Sequence, residues 1–429
     1  MAEIKAFKGL RYTNNAGDMN KLVCPPYDII SREQRESFIS ENQYNIIRLE
    51  LPKPVEDKIQ DFAPYQEAGK TLKSWIENDI LTCDNKKGIY VYEMVFNALD
   101  KQHSLKGFVS LVKLEEFSKG IVLPHEETLS KAKTDRFNLM KATSANFSQI
   151  YSLYSDNGEA YALIDSCSKN SPDVEVSDAE GVIHRLWAVF DTEVITKIEQ
   201  LFTDKKLYIA DGHHRYETAL NYRNYLKENS MKIGSADYVP MFLADMENKG
   251  LVVFPTHRVV RDLQRFNINE LIVRSKQYFD ISDKLDYKQS QSLLKENYDK
   301  GKKAFSLYYD GGYYLMVLKD ESVMKALLPN ASKALRELDV SVLHTLILER
   351  IFGIDKQNMA RQINLTYTKS ANEAVLSVDN GKANCAFILN PTRVTEIKDI
   401  ALAGEKMPQK STYFYPKLIT GLVMNKITE

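Results

Sequence analysis

"LYIADGHHRYETAL", residues 207–220, opens as an apolar, β-branched run, stops at Asp211-Gly212 and continues in a helical pattern that starts with His213, His214 and Arg215. A strand that ends in Asp-Gly and turns into a helix makes an anion site in principle. The first N–H groups of a helix have no internal partner and carry the positive end of its dipole. Asp211 is expected to cap that end, and Gly212 lets a ligand approach the backbone closely. Yet His213, His214 and Arg215 put cationic-leaning side chains in the first turn, where positive charge is disfavoured by roughly 0.3–1 kcal/mol each. A bound anion would compensate for that conflict. Taken one at a time, the same residues read as an ordinary capped helix with neutral histidines and a solvated arginine; taken together they point to phosphate. Tyr216, Ala219, Leu220 and Leu226 are expected in the core.

Around this stretch the pattern alternates. "HRLWAVF" reads as a strand, "EVITKIEQLF" as a helix, "LYIA" as a strand and "RYETALNYRNYLKEN" as a long helix. The strands "YVPMFLADM" and "LVVFPTHRVV" follow, with Glu247-Asn248-Lys249-Gly250 between them as an expected hairpin turn. Nearer the N-terminus, Ser31 and Gln34 have capping-box spacing, so a helix should begin at Arg32. Residues 63–80 carry a second amphipathic helix, and "GIYVYEMVFN" with "SLKGFVSLVKL" forms a strand–turn–strand unit. Beyond Arg261 come "INELIVRSKQYFDI", a strand pair around "AFSLYYDGGYYLMVL" and helices around "SVLHTLILERIFGI". The expected class is α/β (α+β mixed), divided into parts 1–265 and 266–429.

The composition narrows the function. Of 429 residues 44% are apolar and 27% charged, which is enough for packed cores, and the length favours more than one of them. The net charge is −1 with both signs interspersed, so no overall field attracts nucleic acid. Cys24, Cys83, Cys167 and Cys385 form no CxxC pair, which fits reduced thiols. No apolar run approaches the roughly 18 residues of a membrane span, and the first residues do not read as a signal peptide. A cytoplasmic protein is expected.

Other polar groups gather in a few segments. In "VLPHEETLSKAKTDRFNLMKATSANFSQIYSLY", residues 122–154, His125-Glu126 invites a zinc-protease reading, but HExxH needs a second histidine where Leu129 stands. What remains is His125 and Glu126 after a proline, then Lys131, Arg136 and Asn146. Glu127, Lys131 and Asp135 have the spacing of a salt-bridged helix face. "CPPYDII" holds Asp28 behind two stiff prolines. In "FPTHRVV", Pro255 interrupts a strand before His257 and Arg258. "MPQKSTYFYPKL" offers Lys410, Ser411, Thr412 and Lys417 in a loop. Neither GxxxxGK[ST] nor a convincing GxGxxG occurs, so any phosphate must be held by helix N-termini with histidine and arginine side chains. His103, His184 and His344 look incidental.

"CPPYDII", "LPHEETLSKAKTDR", "IADGHHRYETAL", "FPTHRVV" and "MPQKSTYFYPK" resemble, in order and over almost the whole chain, the signature stretches of the domain of unknown function 1015 family. The DGHHR string is also similar to the phosphate-binding element of the ParB and sulfiredoxin superfamily, which includes kinases that phosphorylate free L-serine. That resemblance implies a ParB/sulfiredoxin-like nucleotide-binding core with additional N- and C-terminal α+β parts. It further implies a serine kinase activity with Mg²⁺ and ATP, or ADP, as donor. It places Asp211, as catalytic and metal residue, with Gly212, His213, His214 and Arg215 at the nucleotide, where Arg136 and Lys131 are further phosphate candidates. Glu126 and Asp28 are the candidate catalytic carboxylates, and His125, His257, Arg258 and Lys410 the candidate substrate-binding residues. The ParB-type Gly-Glu-Arg-Arg is missing. Two other readings stay open: a ParB-related nucleotide-binding regulatory module without turnover, and a metal-dependent nuclease or phosphatase. The carboxylate set speaks for a kinase, because a pure binder has no need of Asp28, Glu126 and Asp211 together. The expected partners are therefore a nucleotide and a small-molecule substrate, L-serine, without nucleic acid or membrane.

Overall fold

The computed structural model describes residues 1–53, 61–128 and 130–427, apart from the side chains of Ser130 and Lys131. The chain forms two compact units, one of residues 1–124, 128–252 and 416–429, the other of residues 125–127 and 253–415. These limits differ from the expected 1–265 and 266–429 because of strand pairing. His257–Val260 pairs with Leu365–Thr368 and Cys385–Leu389, which draws it into the later unit, while Asn425–Lys426 pairs with Ala145–Asn146 and returns the C-terminus to the first.

The first unit is built on a mixed sheet. Its strands run in the order Val122–Leu123, Leu207–Asp211, Ile150–Tyr154, Tyr238–Asp245, Lys101–Lys113, Ile89–Ala98, Ile183–Val189 and Val174–Ser177, with Ile4–Lys5 also on Lys101–Lys113. Leu207–Asp211 is parallel to Val122–Leu123, and Tyr238–Asp245 to Ile150–Tyr154; the remaining pairs are antiparallel. The central strands are apolar at nearly every position because both faces are covered. One core joins Phe108, Ile150, Tyr154, Leu207, Ile209 and Leu243 to the helices Thr192–Leu201 and His213–Glu228. Tyr216, Ala219, Leu220 and Leu226 lie in it, as expected. Another core gathers Leu10, Tyr27, Ile47, Leu49, Tyr65, Leu72, Trp75, Leu139 and Phe147.

The local signals act where they stand. Ser31 and Gln34 close a reciprocal capping box on helix Arg32–Glu41, and the second expected helix runs Ala63–Glu77. The expected hairpin at 247–250 does not form. Tyr238–Asp245 has both edges taken, by Lys101–Lys113 and Ile150–Tyr154, so no edge is left for Val252–Phe254. The connecting loop packs on its neighbour instead: Asn248 donates to the Lys106 carbonyl at 3.3 Å, and a Cβ at Gly250 would collide with the Ser104 carbonyl.

The second unit carries an antiparallel sheet in the order Phe279–Ile281, Gly312–Leu318, Ala304–Tyr309, Cys385–Leu389, His257–Val260 and Leu365–Thr368. Asp310 and Gly311, at φ 46° and 68°, make the tight turn of the expected strand pair. Phe279, Phe305, Phe387, Leu343 and Leu346 fill its core. Among the described residues no helix is long and apolar enough to cross a membrane.

Candidate functional site

Strand Leu207–Asp211 delivers Asp211 to the end of helix His213–Glu228, but Asp211 is not the cap. Gly212 is the N-cap residue, in the left-handed region at φ 90°, and no side chain caps the helix. The Asp211 carboxylate turns instead to cations. Oδ2 accepts from Arg215 Nη2 at 2.6 Å and Oδ1 accepts from Lys417 Nζ. Burial pushes the Asp211 carboxyl up, yet Lys417 and Arg215 outweigh it and hold the group well below the usual carboxylate range. Arg215 also donates to the Gln149 carbonyl, and Gln149 donates from its side chain to the Val423 carbonyl. The unfavourable first-turn charge of Arg215 thus has a carboxylate partner one turn back, although Lys417 leaves the trio with two cations to one anion. His213 is buried and His214 half-buried.

A second polar cluster of the same unit centres on Arg136, which is buried in helix Ser130–Thr143. Its Nε and Nη2 reach Asp135 Oδ2 at 2.8 and 2.6 Å, Nη1 donates to the Glu50 carbonyl at 2.6 Å, and the guanidinium lies 4.0 Å from the centre of the Tyr27 ring. Asp135 also accepts from Tyr65 Oη at 2.5 Å, so its carboxylate is spent on Arg136 and Tyr65. Of the expected helix-face trio, the Lys131 side chain lies outside the described residues. Glu50 is buried beneath Arg136; its Oε1 accepts from Ser148 Oγ at 2.9 Å and stands 3.4 Å from Arg136 Nη1. Glu50, Arg136, Ser148 and Arg215 line one small cleft, which brings two of the sequence candidates, Arg136 and Arg215, to one place. Asp28, just after Tyr27, is exposed. Asn146 is buried and bonded to Asn425 at 2.9 Å.

The second unit holds the other candidates. His125 is buried with Nε2 3.0 Å from Thr412 Oγ1, and Glu126 Oε1 accepts the Lys410 N–H at 3.2 Å. Arg258 is fully buried, donating to the Thr256 carbonyl, to His344 Nε2 at 3.2 Å and to the Gln409 carbonyl at 3.4 Å. His257 Nδ1 accepts the Leu389 N–H at 3.2 Å; burial, then the Arg258 charge, pull its pKa down to about 4. His344, incidental in sequence, is therefore part of this cluster.

Sequence reading passed over Glu50 and Gln149 and gave Lys417 only a place in a loop. The available signal for Glu50 was a carboxylate set among Ile46, Ile47, Leu49 and Leu51, all of them buried.

Fold and site together define a mixed α/β protein with an arginine–aspartate–lysine cluster at an uncapped helix N-terminus. The sequence matches the family described as "Protein of unknown function (DUF1015)" over residues 4–341, and the chain belongs to that family. No curated protein matches it. Among solved structures it is similar to a free serine kinase in complex with AMP, at 14% identity and TM-score 0.35, covering 72% of this chain and 90% of that one. A conserved hypothetical protein from Pyrococcus furiosus matches at 16% identity and TM-score 0.34, over 70% and 88% of the two chains. SbnI from Staphylococcus aureus, with a C-terminal truncation, matches at 9% identity and TM-score 0.37, over 74% and 87%.

Proposed function

We propose that this protein is a nucleotide-dependent kinase that phosphorylates a small hydroxyl substrate, with free L-serine as acceptor and ATP or ADP as donor. The observation that carries the reading is the pairing of an uncapped helix N-terminus with two cations converging on Asp211. Phosphoryl transfer asks a protein chiefly for positioning and for neutralisation of charge on the phosphates. The first-turn N–H groups after Gly212 supply oriented donors, and Arg215 and Lys417 supply charge. His213 and His214 belong to the same turn, and Arg136 and Lys131 are proposed as further phosphate contacts.

Mg²⁺ fits this donor set as an ion carried by the nucleotide. Such an ion takes one or two carboxylates and completes its shell with phosphates and water, and Asp211 is an ionised carboxylate. Bound there, it would neutralise charge on the phosphates. Among the described residues no group of three or more His, Cys, Asp or Glu forms a ready-made cage. Asp28 and Glu126 are proposed as acceptor-side carboxylates. Lys410, His125, His257 and Arg258 are proposed for acceptor binding, the last three through the groups they hold in place, since all three are buried.

Arg215→Ala tests the phosphate site. Loss of a charge-assisted hydrogen bond should weaken nucleotide binding by about 1.5–3 kcal/mol. Calorimetric titration with ATP and ADP measures it, and unchanged affinity removes the DGHHR turn from the site.

A further inference from the structure

A chain of hydrogen bonds in the first unit ends beside Lys417. His184 and Tyr92 are both buried, on the paired strands Ile183–Val189 and Ile89–Ala98. Tyr92 Oη stands 2.8 Å from His184 Nδ1, His184 Nε2 stands 3.2 Å from Asp178 Oδ2, and the Ile419 N–H donates to Tyr92 Oη at 3.4 Å. Ile419 follows closely on Lys417, the second cation on Asp211. We infer that His184 and Tyr92 are positioning residues for Lys417: they fix the backbone that carries it, and so set its charge at the donor phosphates.

The inference rests on the kinase reading, which puts phosphate at Asp211, Arg215 and Lys417, and it adds what holds the lysine there. Residues 416–419 lie in no helix or strand. Pro416 has no N–H to give, and a lysine head stands on a flexible stem, so its place depends on where its backbone is held. Beyond Ile419, the Thr420 N–H donates to the Cys24 carbonyl at 2.8 Å, and the Tyr92 hydroxyl supplies the anchor nearer the lysine. The Tyr92 ring also packs edge-on against Phe242 with centres 5.5 Å apart, and Phe242 against Tyr151 at 5.2 Å, whose backbone pairs with Asp211. Tyr92 is therefore linked to both ends of the Lys417–Asp211 contact, through Ile419 on one side and through Phe242 and Tyr151 on the other.

The chain has a direction. Burial pushes the Asp178 carboxyl up, but its bonds to His184 and to the Val182 N–H outweigh burial and hold the group below the usual carboxylate range, so Asp178 accepts and His184 Nε2 donates. Burial pushes the Tyr92 phenol up, so it keeps its proton. With the ring neutral, Nδ1 accepts the Tyr92 O–H, and the phenol oxygen is left to accept the Ile419 N–H. Each of the two side chains thus donates on one side and accepts on the other. His184, incidental in the sequence, is the link that orients Tyr92.

The test is a double-mutant cycle on nucleotide affinity, read by calorimetry on the full chain with ATP and Mg²⁺. Lys417→Ala should weaken binding about 10- to 100-fold, the scale of one charge-assisted hydrogen bond. Tyr92→Phe removes only the hydroxyl and should weaken it about 3- to 10-fold, the scale of a neutral one. In the Lys417→Ala background Tyr92→Phe should have no further effect, since two residues that act through one group are not additive. His184→Asn, which keeps an acceptor near the place of Nδ1, should recover most of the affinity lost in His184→Leu. Unchanged affinity in Tyr92→Phe beside a weakened Lys417→Ala, or losses that add in the double variant, overturn the inference alone. Lys417→Ala binding as tightly as the unsubstituted protein, or no nucleotide binding by the unsubstituted protein, overturns the phosphate site and the inference with it. If Tyr92→Phe does not fold, the His184 variants decide: equal affinity of His184→Asn and His184→Leu overturns the assignment.

Discussion

Asp211 and Arg215 are one helical turn apart in sequence and 2.6 Å apart in space, and Gly212 between them makes the contact possible. At φ 90° the glycine occupies a region that costs an L-residue about 1–2 kcal/mol. A Cβ there would also stand 2.8 Å from Arg215 Nε. Gly212→Ala should therefore lower stability by at least that amount and displace the guanidinium, weakening nucleotide binding as well. Chemical denaturation and calorimetry read the two effects, and a variant of unchanged stability and affinity contradicts the account. The Asp211–Arg215 pair is local, yet the sequence suggested a cap at Asp211 and a phosphate ligand at Arg215 rather than a bond between them. The cap assignment failed because the competing partner, Lys417, is 206 residues away, and its charge draws the carboxylate from the helix N-terminus. Glu50 was illegible for a related reason: in an apolar run it has no neighbour in sequence that explains it, and only folding brings Arg136 and Ser148 to it.

Among the elements, those fixed by local chemistry follow the sequence. The capping box of helix Arg32–Glu41 has both reciprocal bonds, Gln34 N–H to Ser31 Oγ at 3.2 Å and Ser31 N–H to Gln34 Oε1 at 2.9 Å. Ser31→Ala removes one of them and should destabilise the protein by about 0.5–2 kcal/mol without touching nucleotide affinity. Thermal or denaturant unfolding measures it, and a stability unchanged within error contradicts the assigned cap. The missing hairpin at 247–250 shows the limit of such signals. A turn sequence proposes a pairing, but the pairing needs a free edge, and Tyr238–Asp245 has none. Sheet order, unlike strand position, is set by long-range competition that periodicity does not encode.

For the whole molecule, the α/β class was readable from alternating patterns, whereas the extent of the two units was not. The C-terminal residues 416–429 belong to the first unit, and with them comes Lys417, the second cation on Asp211. The central claim is that this assembly transfers phosphate from a nucleotide to a small hydroxyl acceptor. The most direct measurement is to incubate the purified chain with Mg²⁺, ATP or ADP and a panel of amino acids, and to follow the products by ³¹P NMR and mass spectrometry. The account predicts O-phospho-L-serine formed in step with loss of one phosphate from the donor, and none from alanine. Nucleotide bound at the Arg215 turn with no phosphorylated product from any acceptor would contradict it and leave a nucleotide-binding regulatory protein in its place.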